Sequence, residues 1–120
     1  MNRIRKTKGF TLVEIMIVVL IIGILMAIAV PNFIKARSNS RRQTILANLK
    51  QIDGAKEQWA MEGGHTTGDA CAAADLSQYI KVWPVDTPVT GTYAPEVMGT
   101  NPSFQSHDSD WWKDTANGGL

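Results

Sequence analysis

The sequence predicts an α+β chain: one long amino-terminal helix whose first half spans a membrane and whose second half packs against an antiparallel sheet of about three strands. Three observations predict it. From Phe10 to Val30 only Thr11 and Glu14 are polar. After Pro31, apolar residues recur at helical spacing until Trp59, and Gly63-Gly64 closes the pattern. The remaining residues, from His65 to Leu120, are short extended pieces cut by Gly and Pro, too thin to build a large core. The chain therefore divides into residues 1–9, a basic leader; 10–31, a membrane and assembly helix; 32–62, its amphipathic continuation; and 63–120, a small α/β head with loops.

The leader carries Arg3, Arg5, Lys6 and Lys8 and no acid, a charge of +4. Residues 10–63 carry +2, and residues 64–120 carry −5. Bulk charge thus gives no case for nucleic-acid binding.

Phe10 to Val30, at about 1.5 Å per residue, reaches roughly 31 Å, close to the hydrocarbon thickness of about 30 Å. Many of its residues are β-branched, which weakens a helix in water. In lipid, the helix is the form that satisfies every backbone group within one segment. A cleaved secretory signal is the rival, since Ala27-Ile28-Ala29 resembles a small-residue cleavage site. The apolar run is longer than the usual h-region of about 7–15 residues, and Glu14 weighs against this rival, since a carboxylate near mid-helix costs about 2.5–3.5 kcal/mol on insertion scales. Orientation by charge is nearly a tie, because Lys35, Arg37, Arg41 and Arg42 come after the span as four basic residues precede it.

Beyond Pro31, Ile45, Leu49, Ile52, Ala55 and Trp59 form one stripe, flanked by Leu46, Ala47 and Ala60. This is the seat for the sheet. Between span and stripe, Lys35 to Thr44 is polar and basic, and three readings stay open. It is a solvated face, a contact with anionic lipid, or a contact with acidic surfaces of adjacent copies.

In the head, Asp69 is a candidate N-cap for a short helix whose face is Ala72, Leu76, Tyr79 and Ile80. The run from Val82 to Gly91 reads as loop. "TGTYA", "EVMG" and "SFQS" read as the three strands, with Pro95 and Pro102 in the turns and Asn117–Leu120 as a loose tail. Cys71 is the single cysteine, so no disulfide forms within these residues; it reads as a small buried thiol in an Ala-rich helix. His65 and His107 are isolated in polar loops, no nucleophile has a base at readable spacing, and zinc-ligand patterns are absent. The chain does not read as an enzyme.

The stretch "KGFTLVEIMIVVLIIGILMAIAVPNF" resembles the processing signature of type IV pilins and type II secretion pseudopilins. A basic leader ends in Gly, Phe and a Thr-Leu-hydrophobic-Glu run come next, and Pro closes the apolar helix. The resemblance covers residues 1 to about 62. It implies cleavage between Gly9 and Phe10 by a membrane prepilin peptidase, then methylation of the new Phe10 amine. It also implies that Glu14 pairs with the Phe10 amine of a neighbouring copy during assembly. Two charges costly in lipid become tolerable together, and the pair sets axial register. Gly23 and Pro31 bracket a stretch expected to deform on packing, because Pro31 lacks an N–H and Gly is a poor helix former.

For function, the resemblance implies a structural filament subunit, foremost a major pseudopilin of a type II secretion system. The alternative is a pilin of an adhesion, motility or DNA-uptake pilus. From a different class comes a membrane-anchored binding module, with Trp111-Trp112 as its grip. The implied partners are copies of the chain, the prepilin peptidase, the inner-membrane assembly machinery and the lipid bilayer. Its implied place is the inner (cytoplasmic) membrane, crossed once with the head outside the cytoplasm, and then a periplasmic or extracellular filament. The resemblance also raises calcium near the C-terminal tryptophans, with Asp108 and Asp110 as candidate ligands. Two carboxylates are a small part of the six to eight oxygens calcium takes; no other cofactor is expected.

Overall fold

The computed structural model describes residues 8–84, 91–114 and 116. Helix α1 (Leu12–Gly63) is followed by strands β1 (Tyr93–Ala94), β2 (Ser103–Phe104) and β3 (His107–Asp108), then by helix α2 (Ser109–Lys113). The chain divides into two units, Met1–Ala36 and Arg37–Leu120, and α1 contributes to both.

In the first unit α1 is long and apolar enough to cross a membrane, and none of its apolar window is buried by the chain itself. Gly23 and Pro31 both lie within uninterrupted helix.

In the second unit, the predicted stripe faces the core. Ile45, Leu49, Ile52 and Ala55 are buried, and Trp59 is half-buried. They meet Leu76 and Ile80, Tyr93 of β1, Phe104 of β2 and Trp112 of α2. Burying each large side chain of this set contributes about 1.5–3 kcal/mol. Phe104 sits at the centre, its ring centroid 4.6 Å from Tyr93 and 5.6 Å from Trp112. A Cβ on Gly91 would come within 2.4 Å of Phe104 Cζ, so glycine alone lets the chain enter β1 across that ring.

Gly63-Gly64 ends α1 as expected. Gly64 takes φ 68°, and the His65 N–H reaches back to the Ala60 carbonyl at 3.1 Å. This is a Schellman stop, and its usual apolar contact is supplied by His65, which stacks on Trp59 at 3.6 Å.

The sheet is antiparallel in the order β1-β2-β3, pairing Tyr93 with Phe104 and Phe104 with His107. Its membership corrects the expectation in one place. "EVMG" is a turn, and His107–Asp108 is the third strand. Gln105 and Ser106 make the β2–β3 turn with φ 52° and 65°, the left-handed pair of a type I′ hairpin. Neither residue is the Asn or Gly that normally announces such a turn. The 97–100 turn bends around the buried Lys56 ammonium, which donates to the Val97 and Thr100 carbonyls at 3.1 and 2.7 Å. Met98 instead exchanges backbone bonds with Gly68 and Asp69.

The short helix expected after Asp69 is also corrected. Residues 73–79 form successive turns closed by bonds such as Asp75 N–H to Ala72 and Tyr79 N–H to Leu76. Asp69 accepts from the Thr66 N–H at 2.7 Å, so it closes the preceding loop, and Asp75 accepts from Ala72 at 2.8 Å. Leu76 and Ile80 still enter the core. Of the expected 82–91 loop, residues 85–90 lie outside the described residues, as does the 117–120 tail.

Candidate functional site

At the amino-terminal end, Gly9 and Phe10 precede the helix and are exposed, Phe10 at 82%. Among the described residues, its chain neighbours apart, no atom lies within 4 Å of where a Gly9 side chain would stand. The Gly9–Phe10 peptide therefore sits in non-helical, open backbone, the form a protease can bind along its cleft.

Helix α1 starts through its own side chains. The Glu14 N–H donates to Thr11 Oγ1 at 3.2 Å, and the Thr11 N–H donates to Glu14 Oε2 at 3.4 Å. Thr11 and Glu14 thus form a reciprocal capping box, with the carboxylate at the positive end of the helix. The Thr-x-x-Glu spacing signals this from sequence alone; a reading of Glu14 by its charge leaves that spacing unused. Among the described residues one Glu14 oxygen is engaged, so the carboxylate retains acceptor capacity. The Phe10 backbone nitrogen lies one residue ahead of the N–H that Glu14 caps.

The head places the remaining candidates separately. Asp108 Oδ1 accepts from the Trp111 N–H at 3.0 Å and caps α2. Asp110 Oδ1 pairs with Lys113 Nζ at 2.6 Å. One oxygen of each carboxylate is engaged by a protein donor, and among the described residues no group of three or more His, Cys, Asp or Glu could hold a metal ion. The pair by itself supplies a small part of the six to eight oxygens calcium takes.

Trp112 is buried and donates to the His107 carbonyl at 3.3 Å, while Trp111 is half-buried and stacks on His107 at 3.9 Å. The histidines are therefore not isolated: each lies flat on a tryptophan, and His65 also approaches Asp69 at 3.6 Å. Cys71 is half-buried in irregular chain, and burial pushes its thiol up from the ordinary value.

The profile of the prokaryotic N-terminal methylation motif matches residues 4–30, enclosing Gly9, Phe10 and Glu14. The chain is 49% identical over 57 residues to the type IV major pilin protein PilA of Myxococcus xanthus, and 33% identical over 58 residues to the type II secretion system core protein G of Klebsiella pneumoniae. Over its amino-terminal half the chain is similar to pilins and pseudopilins. The type IV major fimbrial protein FimA of Dichelobacter nodosus is a further pilin relative, 40% identical over 75 residues. The three matches take in 48%, 48% and 56% of this chain and 26%, 41% and 48% of the relatives. The chain thus spans half or less of these relatives. No solved structure matches it.

Proposed function

We propose that the chain is a structural subunit of a type IV pilus-like helical filament, of the major pseudopilin type. One observation carries the reading. The methylation motif opens a helix whose large apolar side chains, from Phe10 to Ile34, are 45–82% exposed on the single chain. Such a surface needs lipid before assembly and neighbouring helices after it. Head-to-tail repetition of one contact then gives an open helical polymer.

On this reading, prepilin peptidase cuts after Gly9, Phe10 is methylated, and Glu14 receives the methylated ammonium of an adjoining copy. A methylated amine keeps its charge. Gly23–Pro31 is the stretch that loosens when helices pack. The head stands outside the cytoplasm, with the basic leader held at the anionic inner surface before cleavage. The 49% identity to a major pilin keeps a second reading beside it, a subunit of a true type IV pilus. Both make the same polymer contact.

Mass spectrometry of the mature amino terminus tests the processing. The expected chain begins at Phe10 and carries one methyl group; a chain beginning at Val30 overturns the reading. Glu14→Ala separates a filament subunit, which loses assembly but stays in the membrane, from an anchored binding module, which keeps its activity.

A further inference from the structure

The C-terminal end of α1 carries a local electrostatic conflict. The last turn has no basic residue and holds Glu62, although a helix C-terminus is its negative end and favours a cation. Glu62 and Asp75 line one recess of about 460 Å³, walled by Trp59 and Tyr79. Tyr79 Oη donates to Glu62 Oε2 at 2.5 Å, and Asp75 Oδ2 accepts from Ala72. Each carboxylate keeps its second oxygen without a donor among the described residues. His65 covers one face of the Trp59 indole. The recess has the chemistry of a guanidinium site: two carboxylates for its fork, aromatic walls for its plane, and a helix end for its charge.

The same helix supplies the complementary group. Arg37 is exposed and Arg41 half-buried, one turn apart on α1. Neither makes an ion pair among the described residues, and Arg41 Nε is shielded from solvent with no acceptor. Arg37 lies 25 residues before Glu62, about 38 Å along the helix at 1.5 Å per residue, so neither arginine can reach the recess of its own chain. A second copy, displaced by about that length, can bring one there.

We propose that the Glu62–Asp75 recess receives the Arg37–Arg41 edge of a second copy, a heterologous head-to-tail contact independent of the Glu14 pair. The contact rests on the filament reading and gives it a second register lock, this one outside the lipid. It also assigns the basic run after the span to a protein surface.

The test is charge exchange in the full-length chain, in cells that process and assemble it. Arg37→Glu and Glu62→Arg should each lower sheared polymer by about tenfold, the effect of turning one attraction into a like-charge contact. Processing at Phe10 and the membrane level should stay unchanged. The double variant Arg37→Glu/Glu62→Arg should return polymer to within about twofold of the wild type, because the pair is restored with reversed sign. Singles that polymerise normally overturn the proposal. So does a double variant as defective as Arg37→Glu alone, which would assign the basic run to anionic lipid. If the wild-type chain forms no polymer, the filament reading itself falls; polymer without rescue removes this contact alone.

Discussion

Glu14 caps the helix start and, on the proposed reading, pairs with a neighbouring amine; one pair of substitutions separates the two roles. Glu14→Gln keeps the capping box, because a glutamine oxygen still accepts from the Thr11 N–H, but deletes the charge. Glu14→Ala removes both. Losing the Glu14 arm of the capping box costs at most about 1 kcal/mol, because the Thr11 cap persists, and it acts on the first turn of a 52-residue helix, so the helix and its membrane insertion persist in either variant. Losing the partner of the Phe10 ammonium leaves a charge uncompensated among apolar helices. On insertion scales that is about 2.5–3.5 kcal/mol, or a factor of roughly 100 in the polymerisation constant at about 1.4 kcal/mol per tenfold. The assay is the sheared, pelleted polymer per membrane-bound subunit, with the methylated Phe10 terminus confirmed in each variant. The expected result is that Gln and Ala fail alike. A glutamine variant that assembles like wild type, beside an alanine variant that does not, would show that Glu14 acts only as a cap and refute the ion pair.

The head yields further outcomes. Lys56→Met keeps the buried stem but strips the donor from the Thr100 carbonyl; allowing for the desolvation it relieves, the loss is about 2 kcal/mol, read as a lower melting temperature and earlier proteolysis within 97–100. Burial holds the Lys56 ammonium below its ordinary value, so the unfolded chain binds more protons in the window just below pH 10.5 and stability rises with pH there; that rise should vanish in Lys56→Met. Tyr93 carries the opposite sign. Burial raises its phenol above 10, so its share of stability is lost as pH climbs through that raised value, and Tyr93→Phe should flatten this fall while losing about 1 kcal/mol at neutral pH from the Asn48 bond. Gly91→Ala should destabilise the head by about 1–3 kcal/mol through overpacking on Phe104, checked by chemical denaturation. Asp108 and Asp110 each have one oxygen engaged, by Trp111 and Lys113, and two carboxylates are a small part of what calcium takes, so millimolar calcium should leave the melting temperature unchanged; an upward shift abolished by Asp108→Asn would establish a calcium site.

How far the sequence announces this structure depends on how local each cause is. The α1 stripe was legible because a 3.6-residue period is written in neighbouring side chains: Ile45, Leu49 and Ile52 needed no knowledge of what covers them. Gly63-Gly64 announced its stop for the same reason. The capping box was equally local, and Thr11-x-x-Glu14 carries it in plain spacing. The third strand was not legible, because Gln105-Ser106 reverses the chain at positive φ without a turn residue, and only the Phe104 core contacts repay that strain of about 1–3 kcal/mol per residue. Nor could "EVMG" be told from a strand, since its bend answers to Lys56, some 40 residues away in sequence. An N-cap at Asp69 was plausible chemistry in the wrong register: once Thr66 takes its carboxylate, Ala72 has no cap of its own and Asp75 must reach back from inside the turn. The processing and assembly residues lie wholly on the local side of this division, within one turn of the helix start. That is why the proposed function reads from the first thirty residues, while the head, where Phe104 and Lys56 act on distant segments, must be seen folded before the Glu62–Asp75 recess can be found at all.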